Sequence, residues 1–172
     1  MSTAMPTLLR FKLALALTWV AACMPLAAQA ETPRPTGRVT DLAGVLPVKD
    51  AQRLSQLLGD YERETTHQIA VLTVPSLGGE SIETYALRVA QSWGLGHKGV
   101  NNGILVVLAP QDRQVRIELG LGFERHISNA RGTEIIRQQM LPAFKEADYA
   151  GGLERGIEQL MQDGRGFVVP QP

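Results

Sequence analysis

Two uninterrupted apolar segments constrain the fold of this chain more than any other feature. The first spans residues 68–74 and contains Ile69-Ala70-Val71-Leu72, and the second spans residues 103–109 with the sequence GILVVLA. Successive side chains of a strand point to opposite faces, so a strand with no polar face must be covered on both sides. The sequence therefore predicts a sheet lying between two layers of helices.

Helical patterns surround these strands. Apolar residues at i, i+3, i+4 and i+7 predict a helix over residues 48–66, which the chain enters at Pro47. Ser81 is the expected cap of a second helix, which ends at Trp93. A third helix is predicted after Ser128, until Pro142 breaks or kinks it, and a fourth around residues 153–161.

One further strand is predicted over residues 113–119, where apolar and polar side chains alternate. The short segment Pro110-Gln111-Asp112 joins it to the strand before it, which predicts an antiparallel hairpin. The expected fold class is therefore α/β: a three-layer α/β/α sandwich with a mixed sheet of about four strands and about four helices.

The first 30 residues have the pattern of a secretory signal peptide. Arg10 and Lys12 precede an apolar segment that ends at Ala28-Gln29-Ala30, so we expect cleavage after Ala30 and a periplasmic or secreted protein. In an alternative interpretation, residues 20–23 (VAAC) form a lipobox and the protein is a lipoprotein anchored through Cys23. Residues 31–37 are predicted to be an extended spacer, because they contain two prolines.

Charge and cysteine content exclude several classes of function. The 172 residues contain 17 basic and 17 acidic side chains, and removal of Arg10 and Lys12 with the signal leaves 15 against 17, or a net charge of −2. Such a domain lacks the basic surplus that nucleic acid binding requires. Cleavage after Ala30 would also remove the single cysteine, which excludes disulfides and thiolate catalysis. No transmembrane helix is expected in the mature chain.

No catalytic motif is apparent in the remaining sequence. The segment Gly94-Leu95-Gly96-His97-Lys98-Gly99 matches G-x-G-x-x-G, but it follows a helix and precedes a strand, which is the reverse of the order in a dinucleotide site. We therefore expect a helix stop and a turn, with no bound nucleotide, flavin or haem. The three histidines do not have metal-binding spacing, and no G-x-S-x-G motif is present.

Oxygen-rich side chains near predicted strand and helix ends are the remaining candidates for a site. They are Asp41, Asn101, Asn102, Asp112, Glu124 and Asn129. Hard divalent cations such as calcium prefer carboxylate, amide and backbone oxygens, so a convergence of these residues would bind one. The same residue types also form turns, and spacing alone leaves both interpretations open.

In this order, the motifs of the chain resemble those of the TPM domain family, which includes a thylakoid-lumen protein of photosystem II repair and many exported bacterial proteins. The matching segments, each given by its sequence letters, are VTDLAG from Val39, QIAV from Gln68, YA from Tyr85, WGLG from Trp93, NNGIL from Asn101, DR from Asp112, RIELGLGFE from Arg116, PAF from Pro142, and Tyr149. The resemblance covers residues 38–162 and leaves residues 163–172 as a flexible tail.

The resemblance implies a three-layer α/β domain outside the cytoplasm, an acidic cleft associated with calcium and, for some members, acid phosphatase activity. It implies Asp41, Asp112, Glu124 and Asn129 as metal ligands. Asn129 stands where the family usually has aspartate, which removes one negative charge from this cleft.

Two functional hypotheses follow. The first is a non-catalytic module that binds a divalent cation, a protein partner or both, and assists maintenance of the envelope or of a membrane complex. The alternative is a metal-assisted phosphatase acting on phosphomonoesters, with Arg113 as a phosphate clamp and Asn101 and Asn102 in the same cleft. The first is favoured, because phosphoryl transfer needs positioned charge and Asn129 removes one charge from the cleft.

Overall fold

The protein contains one mixed sheet, seen in a computed structural model that describes residues 32–124 and 126–166. Its strands are β1 (Val39–Asp41), β2 (Gln68–Thr73), β3 (Gly103–Ala109) and β4 (Gln114–Leu119), and they lie side by side in that order. β1, β2 and β3 are parallel, whereas β4 pairs antiparallel with β3. The predicted mixed sheet and hairpin are confirmed. The predicted signal peptide and Cys23 lie outside the described residues.

Both faces of the two central strands are buried, as the apolar segments predicted. On β2, Ile69 and Val71 join one core, whereas Ala70 and Leu72 join a second core on the opposite face. All seven residues of β3 are buried, and the six that follow Gly103 divide between the two cores in the same alternating way. The sheet is therefore the middle layer of a three-layer sandwich, which confirms the predicted fold class.

Helices form the outer layers. They are α1 (Val48–Thr65), α2 (Ile82–Trp93), α3 (Asn129–Ile135), α4 (Leu141–Lys145) and α5 (Tyr149–Gly164). Helix α2 covers one face of the sheet, and the others contribute to the core on the opposite face. The side chains of Ser81 and Ser128 accept hydrogen bonds from the backbone amides of Thr84 and Arg131, at 3.2 and 3.1 Å. Both predicted helix caps are thus confirmed.

Pro142 does not end the third helix, although a break was one of the two predicted outcomes. A π-helical turn over Ile136–Met140 links α3 to α4, and Pro142 lies within α4. In this turn the amide of Leu141 donates to the carbonyl of Ile136, five residues earlier. The wider turn changes the helix geometry immediately before the proline, so the helical run continues to Lys145.

Residues near both ends of the described domain contact its helices. The Trp93 indole donates to the Pro33 carbonyl at 2.7 Å, and Arg88 donates to the Thr32 hydroxyl at 2.5 Å, so the predicted spacer packs on α2. Helix α5 extends to Gly164, two residues past the predicted domain end, and Gly164 is buried beside Tyr61. Within residues 32–124 and 126–166, no helix has the length and apolarity needed to cross a membrane.

Candidate functional site

The three parallel strands end at one edge of the sheet, here called the carboxyl edge. Asp41 is the last residue of β1, Thr73 is the last of β2, and Asp112 lies in the turn that joins β3 to β4. Ligands of open α/β sheets usually bind outside the carboxyl ends of the strands, where the connecting loops converge. Two of the predicted oxygen ligands therefore lie at the edge where a site is expected.

The carboxylate of Asp41 organises the loop between β1 and α1. Its two oxygens accept hydrogen bonds from the backbone amides of Val45 and Leu46, at 3.3 and 2.9 Å. The hydroxyl of buried Thr73 also donates to Oδ1, and this hydroxyl accepts a hydrogen bond from the amide of Ala43 at 3.1 Å. Asp41 thus fastens the loop after β1 to the end of β2.

Asp112 plays the corresponding part for the hairpin between β3 and β4. Its Oδ2 accepts a hydrogen bond from the amide of Leu77 at 2.6 Å, and its Oδ1 accepts one from the Ser76 hydroxyl at 3.1 Å. A carboxylate offers about four lone-pair positions, so both aspartates keep some acceptor capacity. The carboxyl edge therefore carries two carboxylates that loop donors hold in fixed positions.

A cavity of about 420 Å³ opens beside the same hairpin, on the face of the sheet that α4 and α5 cover. Arg113 and Lys145 line it together with the ring of Tyr149. Among the described residues, neither cation forms an ion pair, and the cavity lining contains no acidic side chain. The carboxyl edge thus combines fixed carboxylates with an adjacent positively charged cavity.

Asn101 and Asn102 lie at the opposite edge, here called the amino edge, where β3 begins. Asn102 is fully buried: its Oδ1 accepts a hydrogen bond from the His97 amide at 2.8 Å, and its Nδ2 donates to the Thr66 carbonyl at 2.8 Å. Asn101 is exposed, with a φ of 54°. These contacts give Asn102 a structural role, because they join the turn after α2 to the end of α1.

Glu124 and Asn129 also lie away from the carboxyl edge. Glu124 follows Phe123, and the ring centroid of Phe123 lies 4.7 Å from that of His67. His67 is the residue immediately before β2, so this contact lies at the amino edge. Asn129 starts α3, and Arg131 of that helix pairs with Asp163 at the far end of α5.

The structure consequently does not bring the four predicted metal ligands together. The seven residues of β3 separate the two edges by about 20 Å at 3.3 Å per residue, whereas oxygen ligands of calcium lie about 2.4 Å from the ion. Of the residues described, no group of three or more His, Cys, Asp or Glu side chains could hold a metal ion. A cation at the carboxyl edge would need carboxylate oxygens of Asp41, Asp112 or both, together with hydroxyl and backbone oxygens.

The histidines lie toward the amino edge as well. His67 is buried beside Tyr61, with 3.2 Å between its Nδ1 and the tyrosine hydroxyl. Burial lowers the pKa of His67, and nearby His126 lowers this pKa further, so the neutral imidazole is favoured. His97 contacts Asn102. These positions leave Ser76 and the two aspartates at the carboxyl edge distant from an imidazole base.

Sequence reasoning missed the role of Lys145 and Tyr149 as cavity residues. Tyr149 and Phe144 belong to motifs on which the family resemblance rests, but spacing shows nothing about the cavity that these two residues line. The family motif was therefore the only sequence feature that pointed to these residues, and it did not indicate what they do chemically.

This chain is similar to a known protein family and to several solved structures. A family model described as the TPM domain matches residues 39–163. Among solved structures, the N-terminal domain of a P. gingivalis protein is 34% identical, with a TM-score of 0.70, and the match covers 76% of this chain and 83% of that one. No curated protein matches the chain.

Two more distant structures share the fold. The N-terminal domain of the cg2496 protein from Corynebacterium glutamicum is 22% identical, with a TM-score of 0.58 and coverage of 83% of this chain and 88% of that one. The BA42 protein from the psychrophilic bacterium Bizionia argentinensis is 20% identical, with a TM-score of 0.62 and coverage of 72% and 84%.

Proposed function

Because the chain belongs to the TPM domain family, we propose that it is a non-catalytic binding module that acts outside the cytoplasm and uses the carboxyl edge as its binding face. The observation that carries this proposal is the way in which loop donors engage Asp41 and Asp112. Export rests on the sequence of residues 1–30 alone.

The environment of these carboxylates favours binding over catalysis. A general base needs an acceptor aimed at the proton that it removes, and a carboxylate activates a hydroxyl nucleophile best through an intervening imidazole. Here Asp112 accepts hydrogen bonds from Ser76 and Leu77, and all three histidines lie toward the amino edge. Fixed oxygens of this kind are suited to hold a ligand in a defined position.

The proposed ligands are a divalent cation such as calcium, a protein of the envelope or of a membrane complex, or both. Asp41 and Asp112 would each supply a carboxylate oxygen, and exposed loop carbonyls or water would complete the coordination. A partner protein would contact the same loops, since Leu42 beside Asp41 is 49% exposed.

We expect calcium, magnesium or manganese to raise the melting temperature of the purified protein, because an ion that binds only the native state stabilises it. Asp112→Asn should weaken the apparent affinity by about tenfold or more, since it removes a charged oxygen ligand. Glu124→Gln is the matched control at the amino edge and should leave the affinity unchanged. If none of the three ions alters the melting temperature or gives a binding isotherm, the cation part of the proposal is wrong.

A metal-assisted phosphatase is the second candidate, favoured by the position of Arg113 beside Asp112 and at the cavity with Lys145. We expect no phosphomonoester turnover by the purified protein, because no imidazole base lies beside the two carboxylates within residues 32–124 and 126–166. Turnover that Asp41→Asn and Arg113→Ala each abolish, with the fold retained, would replace the binding proposal by the phosphatase. Turnover that persists in both variants would indicate a contaminating enzyme and would leave the expectation of a non-catalytic protein in place.

A further inference from the structure

The cavity beside the hairpin has the size of a small-molecule site. Its volume of about 420 Å³ lies within the usual range of ligand sites, about 300–1,000 Å³. The ends of β3 and β4 form one wall, and α4 with the first residue of α5 forms the other. A ligand would thus contact two separate parts of the fold, which hold it from opposite sides.

Most of the inner surface is apolar. Leu108 and Val115, which are register partners on β3 and β4, lie at the sheet wall, and Leu141 lies at the helix wall. Phe144 and Tyr149 add two aromatic rings with centroids 5.6 Å apart. This combination favours an aromatic or branched aliphatic body over a fully hydrated ion.

Two cations accompany this apolar surface. Arg113 and Lys145 come from opposite walls, and the acidic neighbour Asp112 is engaged by Ser76 and Leu77 of the loop after β2. A guanidinium binds carboxylate or phosphate oxygens in a bidentate manner, and an ammonium adds a point charge. The cavity therefore provides both charge and apolar contact.

The backbone at Arg113 supplies a second, independent observation. Its φ is 55°, in the left-handed region that glycine adopts without strain, and the amide of Arg113 closes the turn by donating to the Pro110 carbonyl at 3.1 Å. The turn therefore places an arginine where glycine would relieve backbone strain. Strained residues of this kind cluster at ligand sites, where the surrounding structure holds them in the strained conformation.

We propose that this cavity binds a small organic anion. One phosphate or carboxylate group would contact Arg113 and Lys145, and an apolar body would pack against Leu108, Val115 and Phe144. This site differs from the proposed cation site, because it uses no carboxylate of the protein and needs no metal. It goes beyond the proposed function and would remain if the cation part of that proposal failed.

An NMR titration of the purified protein in EDTA tests the inference with phenyl phosphate and phenylacetate. We expect both to shift the backbone amide signals of residues 108–115 and 141–149. Benzyl alcohol lacks the anionic group and inorganic phosphate lacks the apolar body, so each should bind at least about tenfold more weakly. Tighter binding of phenyl phosphate would identify phosphate as the preferred anionic group, and tighter binding of phenylacetate would identify carboxylate. If inorganic phosphate binds as tightly as phenyl phosphate, or if neither aromatic anion shifts these amides, the proposal is overturned.

Variants separate binding from folding. Arg113→Gly should weaken anion binding by about tenfold or more while keeping or raising the melting temperature, because glycine suits the left-handed backbone. Lys145→Gln should weaken binding in the same direction. Lys98→Gln, an exposed lysine in the turn after α2, is the matched control and should leave binding unchanged. Unaltered affinity in both Arg113→Gly and Lys145→Gln would overturn the assignment of the anion to these residues.

Discussion

Replacing Gly122 with alanine is expected to reduce the free energy of unfolding by roughly 3 kcal/mol, at the upper end for overpacked positions. An added Cβ would lie 2.1 Å from the Val100 carbonyl oxygen and 3.0 Å from that of Asn101. Both contacts are backbone atoms, which cannot rotate away as a side chain would. The amide of Gly122 also donates to the Asn101 carbonyl at 3.1 Å, so relief of the clash would strain this hydrogen bond.

Urea denaturation of the variant, followed by circular dichroism, measures this effect. Gly37→Ala is the matched control, since nothing lies within 4 Å of its added Cβ and its φ is not positive. This control should stay within about 0.5 kcal/mol of the parent protein, as is usual for surface changes. Equal stability of the two variants would show that the segments around Gly122 can move apart without loss of packing.

The glycine motifs at the amino edge also lie where backbone segments approach each other closely. A Cβ added to Gly96 would lie 2.7 Å from the amide nitrogen of Gly103. A Cβ added to Gly120 would lie 2.3 Å from the carbonyl oxygen of Asn101. The helix stop was predictable, and Gly94 indeed ends α2 with a φ of 61°. The close contacts were not, because they depend on how the turn after α2 packs against the start of β3 and on the pairing of β3 with β4.

The fold was predictable where burial leaves a periodic pattern. Uninterrupted apolar segments identified β2 and β3, and alternation identified β4. The short strand β1 (Val39–Asp41) has no such pattern, since three residues are too few for a period. It is positioned instead by nonlocal contacts: its parallel pairing with β2 and the hydrogen bond from Thr73 to Asp41.

The candidate site shows the limit of residue type as a predictor. Asp112 and Glu124 both follow predicted strands, but β4 runs antiparallel to β3 and carries the chain from one edge of the sheet to the other. The predicted hairpin already implies this separation, because its two strands run in opposite directions. The cavity at Arg113 depends on the packing of α4 and α5 against the hairpin, which no local pattern contains.

Asn102→Asp is expected to be about as harmful as Gly122→Ala, with a loss of roughly 3 kcal/mol at neutral pH, because it buries a charge and removes a donor. The Nδ2 of Asn102 donates to the Thr66 carbonyl, so a carboxylate oxygen in its place would face another acceptor. The side chain is fully buried, and water cannot compensate.

The loss should depend on pH, and this dependence distinguishes a buried charge from a simple packing defect. Burial would raise the pKa of the introduced carboxyl above the unfolded value of about 3.9, so the variant binds more protons when folded than when unfolded. Its stability relative to the parent is then greatest below about pH 4 and falls as pH rises through the folded pKa. Asn101→Asp, the same change at the exposed neighbour, should lose little stability at any pH. A pH-independent loss in Asn102→Asp would contradict burial of the charge and would attribute the effect to the lost hydrogen bond to Thr66 alone.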